Sequence, residues 1–137
     1  MAKNFVGAKG ARLLRKVAKH ILDEPKRFIM AAWFYKRSDY RPSVDDFSYH
    51  GDFPTCNTAA CIGGWSVVLG SKKNPDDILD VQRYAARLLG LTPSRVAVLF
   101  DAWAWPTPFD KFQSATDPRK RAQIAAKRIE HFIKTGE

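Results

Sequence analysis

The 137-residue chain has no apolar run long enough to span a bilayer. Its longest uncharged apolar stretch, Ala59 to Leu69, falls well short of the ~20 residues a membrane-crossing helix needs, and the start, MAKNFVGAKG, contains no apolar signal region. A cytoplasmic protein without membrane attachment is the expectation. Cysteine is scarce as well: Cys56 and Cys61 are the only two, which argues for free thiols rather than a disulfide framework. A structural zinc site wants four ligands with tight Cys or His pairs. Here four residues stand between Cys56 and Cys61, and only His20, His50 and His131 could complete the set, so no metal and no cofactor is expected. Also missing are the period-two alternation of a half-buried strand and any internal repeat, which leaves helices as the building material.

What the chain does have is a soluble protein's balance, 45% hydrophobic against 27% charged residues, at a length that fits one domain over residues 1–137. Its formal charge of +9 favours a polyanionic partner. The distribution is more informative than the sum. Residues 1–41 hold 11 Lys/Arg against 3 Asp/Glu, residues 42–110 hold 5 against 8, and residues 111–137 hold 7 against 3, so both ends are basic and the middle is acidic.

Along the chain, ARLLRKVAKHILDEP places Leu13, Leu14, Val17, Ile21 and Leu22 at helical spacing, with Arg12, Arg15, Lys16 and Lys19 filling the other face until Pro25 breaks the run. PKRFIMAAWFYK reads as a short second helix with Phe28, Met30 and Trp33 inward. From Lys36 to Thr55, Pro42, Gly51 and Pro54 punctuate four aromatics, which predicts a long aromatic loop over 36–55 or a small hairpin. Asn57 or Thr58 can cap a helix running to Leu69 that has no polar face and should pass through the domain centre. Asn74 with Pro75, Thr92 with Pro93 and Asp117 with Pro118 each read as a helix start, and Gly90 reads as a stop. In the last helix Ala122, Ala125, Ala126, Ile129 and Ile133 should face in, with Arg119, Lys120, Arg121, Lys127 and Arg128 largely facing out. The expected fold is therefore all-α, a single compact domain of five or six helices around a buried central helix over 58–69.

CNTAACIGGW, residues 56–65, allows two readings. A thiol at a helix start feels the positive end of the dipole, which favours reactive thiolate, so Cys56 or Cys61 could serve as nucleophile with His50 or His131 as base and Asp52 orienting it. In the other reading Ala59 with Gly63 and Ala60 with Gly64 make a smooth strip for close helix packing, and each cysteine is a small hydrophobe. The second explains more of the residues.

AARLLGLTPSRVAVL places Ala86, Gly90 and Val96 as a helix-turn-helix does. Base reading needs polar side chains on the second helix, yet Arg95 is followed by Val96, Ala97, Val98, Leu99 and Phe100, so a structural corner is the expectation. A surface for nucleic acid or for an acidic protein would instead use Arg12, Arg15, Lys16 and Lys19 with Arg119, Lys120, Arg121, Lys127 and Arg128, provided the terminal helices pack side by side.

The succession HILDEPKRFIMAAW, CNTAACIGGW, AARLLGL, WPTPF and AAKRIEHFIKTG resembles a family of small, all-helical bacterial and bacteriophage proteins that share a Cys-x-Thr-x-x-Cys-Ile-small-Gly-Trp segment, here Cys56, Thr58, Cys61, Ile62, Gly63, Gly64 and Trp65. The resemblance implies a helical frame and a phage setting, without an activity. The chain departs from the family at Thr92 to Arg95, where its members carry acidic residues. The sequence thus points to a basic binding protein, with a thiol-dependent hydrolase or transferase using Cys56 or Cys61 as the alternative.

Overall fold

The computed structural model describes residues 5–30, 34–36, 58–73 and 77–137. Among these residues five α-helices form the frame: α1 Ala8–Asp23, α2 Ile62–Gly70, α3 Val81–Leu89, α4 Pro93–Phe100 and α5 Pro118–Thr135. Short 3-10 helices lie at Pro25–Arg27, Ala102–Ala104 and Phe109–Gln113. One three-residue antiparallel pair, β1 (Phe34–Lys36) with β2 (Thr58–Ala60), sets Phe34 opposite Ala60 and Lys36 opposite Thr58. The chain is all-α in class. The expected loop over 36–55 lies outside the described residues from residue 37 onward, as do Trp33, Asn74 and Pro75.

Two helix starts differ from expectation. The helix expected over 58–69 begins only at Ile62, because the backbone of Thr58–Ala60 is paired with β1 and cannot also make helical bonds. Cys61 takes the N-cap in place of Asn57 or Thr58, with extended backbone and its Sγ accepting the Gly64 N–H at 3.4 Å. With residues 59 and 60 in a strand, their i, i+4 strip with Gly63 and Gly64 does not exist. Helix α3 starts at Val81 rather than beside Asn74, with the Asp80 carboxylate accepting the Arg83 N–H at 3.1 Å. An acceptor at residue 80 satisfies the first-turn donors as well as Asn would, and it stands directly before the apolar pattern of α3. The second helix expected from Pro25 is a single 3-10 turn followed by β1.

The other boundaries stand where capping chemistry puts them. Thr92 accepts the Arg95 N–H and Asp117 accepts the Arg119 N–H, each just before a proline at the first helical position. Gly90 closes α3 at φ 71°, a left-handed turn that lets the Leu91 N–H reach back to the Ala86 carbonyl at 2.9 Å.

The core follows from these faces. Leu14, Val17 and Ile21 of α1 are fully buried, and Leu22, expected beside them, is 45% exposed because it falls past the edge of the apolar stripe. Helix α2 buries Ile62 through Val67 in one unbroken run and packs against α1, α3 and α4. Trp65, 1% exposed, is held by its ring N–H donating to the Arg27 carbonyl at 3.1 Å and by the His20 ring 4.2 Å away. The most extensive helix pairing is α1 on α5, where the buried residues Ala122, Ala125, Ile129 and Ile133 include two alanines that keep the α5 surface low. The Val6 N–H bonds the Ile133 carbonyl at 3.1 Å and Arg15 forms an ion pair with Glu130 at 2.8 Å, so the two helices run in opposite senses.

Gly10 sets how closely α1 can approach α3. A methyl group there would overlap the Leu89 backbone carbonyl and lie 2.8 Å from a Val6 methyl. Substituting Gly10→Ala gains helix propensity worth at most about 1 kcal/mol, but a carbonyl fixed at a helix end cannot step aside. The variant is expected to lose about 1–3 kcal/mol of stability, read as a lower urea midpoint at unchanged m-value. An equal or higher midpoint would contradict this packing.

Candidate functional site

At Cys61 burial works against the helix dipole. The side chain is 4% exposed, and removal from water pushes the thiol up to about 11, against the smaller downward pull of the Gly64 and Gly63 N–H groups. The N–H groups at the start of α2 that would favour thiolate are present, but at Cys61 desolvation outweighs them. Cys61 is a free thiol serving as a helix cap. Cys56, His50 and Asp52 lie outside the described residues. His131, the other candidate base, is half-buried on α5 with its ring 5.3 Å from Phe109. Among the described residues no group of three or more His, Cys, Asp or Glu could hold a metal ion.

The basic residues divide into two kinds. On α1, Arg15 pairs with Glu130 at 2.8 Å and Lys19 with Asp23 at 2.6 Å, whereas Arg12 and Lys16 are exposed with no ion pair among the described residues. On α5, Arg119, Lys120 and Lys127 are exposed and likewise unpaired among the described residues. Lys120 and Lys127 stand seven residues apart and share one outward stripe. Arg119 and Lys120 occupy the first helical turn, where the dipole disfavours cations; the Asp117 carboxylate at the cap offsets this.

Arg121 and Arg128 depart from the expected outward face. Arg121 is half-buried with its guanidinium 4.3 Å from the centre of the Phe112 ring, a cation–π contact that pulls it onto the core. Arg128 is 1% exposed. Its guanidinium donates to the Val98 carbonyl at 3.0 Å, while the Trp105 ring N–H donates to the Leu99 carbonyl at 2.9 Å and the Asp101 N–H to the Ala97 carbonyl at 3.0 Å. Three carbonyls of the last turn of α4 are thereby satisfied, and the cation faces the negative end of that helix. Burial holds the Arg128 pKa below its ordinary value. The sequence places Arg128 with the surface cations because its neighbours are basic; its structural partner is thirty residues away along the chain.

Between α1 and the C-terminal ends of α2 and α3 lies an open groove of about 260 Å³, lined by Lys9, Arg12, Leu13, Lys16, Leu69, Gly70 and Leu88. The three cations recur at i, i+3 and i+7 along α1, so they stand in a row over about 10 Å. The floor is leucine. Leu13 is buried, and Leu69 and Leu88 are half-buried. Among the described residues Lys9, like Arg12 and Lys16, has no ion pair, and no acid lines the groove. Lys9 is absent from the sequence-derived site, although its spacing from Arg12 and Lys16 would have placed it there. The apolar half of the groove comes from α2 and α3, which helical periodicity within α1 cannot reveal.

A comparison with protein-family models, curated proteins and solved structures finds no match. What the described surface offers chemically is attraction for anions: exposed helix-borne cations with no ion pair among the described residues, beside an apolar depression.

Two measurements test these assignments. Native protein treated with iodoacetamide is expected to leave Cys61 unmodified by peptide mapping until denaturant is added; fast native labelling of Cys61 would refute its sealing. Arg128→Ala leaves the Val98 carbonyl unsatisfied and is expected to cost about 1–3 kcal/mol of stability. It should leave any anion binding unchanged, because residue 128 does not reach the surface.

Proposed function

We propose that this chain is a non-catalytic binding protein whose basic terminal helices dock an anionic macromolecule. The observation that carries the reading is the packing of α1 directly on α5, which joins the basic ends of the chain, with Arg12, Lys16, Arg119, Lys120 and Lys127 exposed and unpaired among the described residues. Arg15 and Lys19 contribute less, since each already has a carboxylate partner. Exposed cations that no carboxylate neutralises attract polyanions and speed their encounter with this surface.

The competing thiol-dependent hydrolase or transferase draws no support from Cys61, whose buried, raised-pKa sulfur is a poor source of thiolate. The helix-turn-helix-like corner also supports the binding role poorly. Its second helix, α4, exposes Pro93, Ser94, Arg95 and Val98, and the Arg95 guanidinium lies 5.2 Å from the Phe5 ring centre. No helix among the described residues is long and apolar enough to cross a membrane. A cytoplasmic, phage-related setting belongs to this proposal on the strength of the family resemblance alone.

The test is a titration of labelled duplex DNA, an RNA hairpin and poly-glutamate, followed by anisotropy at about 20 mM and about 200 mM salt. Binding to at least one polyanion is expected to weaken steeply with salt, and Arg12→Ala with Lys16→Ala to reduce the logarithmic salt slope by about one for each phosphate no longer neutralised. Absence of any association at low salt would overturn the proposal.

A further inference from the structure

The groove beside α1 narrows the choice among polyanions, and the inference that follows rests on the binding role just proposed. We propose that it receives an acidic peptide segment of a protein partner, with carboxylates on Lys9, Arg12 and Lys16 and one large apolar side chain on the leucine floor.

The chemistry of the lining argues for a peptide over a nucleic acid. A phosphodiester backbone presents negative charge but no aliphatic branch, and bases are held by stacking on aromatic rings or guanidinium planes or by hydrogen bonds to their edges. Among the described residues no aromatic side chain lines this groove, and its apolar lining is Leu13, Leu69 and Leu88. An apolar floor flanked by a row of cations instead complements an amphipathic segment whose acids flank a hydrophobic anchor. Its volume, about 260 Å³, lies below the ~300 Å³ at which pockets for free-standing small molecules begin, and it suits one large side chain or two.

Charge supports the same occupant. Lys9, Arg12 and Lys16 sit near the C-terminal ends of α2 and α3, whose partial negative charge attracts them, yet none of the three donates a hydrogen bond to another described residue. Three unneutralised cations two turns long match acids at the same helical spacing on a partner helix, or at alternate positions of an extended one.

Gly70 keeps the floor open. A Cβ at this position would lie 2.7 Å from a Leu13 methyl group, which is the free end of a side chain and can swing away only by moving into neighbouring space. Gly70→Ala therefore alters the floor without touching a charge.

The experiment compares a labelled peptide of Glu and Asp carrying one central Phe with the same peptide carrying Ser in its place, alongside poly-glutamate, duplex DNA and an RNA hairpin. The anchored peptide is expected to bind about tenfold or more tightly than its Ser counterpart, as burial of a large apolar side chain requires. Gly70→Ala should abolish that preference while retaining salt-dependent binding, and Arg12→Glu with Lys16→Glu should weaken both peptides. Because Gly70→Ala can itself disturb packing, Leu88→Gln provides a second, half-buried test of the floor. Equal binding of the two peptides, or tighter binding of DNA or RNA than of the anchored peptide, overturns the groove assignment and leaves the binding role standing. No association with any of the five probes overturns both.

Discussion

The arrangement of this protein depends on α1 being gripped from two sides. On one side it meets α5 across the alanines of that helix, tied by the Val6 and Phe5 backbone bonds and by the Arg15–Glu130 pair. On the other it presses onto α2 and α3, so closely that Gly10 faces the Leu89 carbonyl without room for a methyl group. Because Leu14, Val17 and Ile21 are consumed in that contact, the remaining face of α1 is left to its cations, and the positions of those cations are set by the core rather than by one another. A polar surface borne on a helix clamped in this way is pre-organised, which lowers the ordering cost of binding.

The same economy governs the polar groups inside. Three buried polar side chains close helix ends: Cys61 caps the start of α2, and Arg128 with Trp105 closes the end of α4. Each of these side chains belongs to a type that often marks chemistry. Each here satisfies a backbone group that would otherwise be stranded away from water. Burial alters their reactivity in the direction of inertness, raising the thiol pKa at Cys61 and disfavouring exposure of the charge at Arg128 to any ligand. Unneutralised charge is thereby left to the shell, where exposed cations with no ion pair among the described residues lie beside the leucines of the groove.

Much of the frame was legible because it is written locally. The Thr92–Pro93 and Asp117–Pro118 starts, the Gly90 stop and the apolar stripes of α1 and α5 all depend on residues within a turn or two of each other. Where competition between distant segments decides, local reading failed. Thr58–Ala60 could have been helix, but pairing with Phe34–Lys36 makes them strand, and α3 begins only at Val81 behind an Asp80 cap. Of the candidate surface, only exposure was legible, and only in part: Arg12, Lys16, Arg119, Lys120 and Lys127 are exposed as their periodicity implies, whereas Arg121 and Arg128 are drawn inward by Phe112 and Val98.

By itself, the sequence determined the all-α class, the caps that begin α4 and α5, the glycine that ends α3, and the concentration of positive charge at the two ends of the chain, since propensity, capping and net charge act over a few residues. Tertiary structure alone decided that those two ends adjoin, that Arg128 is an internal strut, that Cys61 is sealed, and that Lys9, Arg12 and Lys16 border leucines from two other helices. The reason is physical. Burial and partnership arise between surfaces brought together from far along the chain, and a residue's own neighbours in sequence carry no record of what will be folded against it.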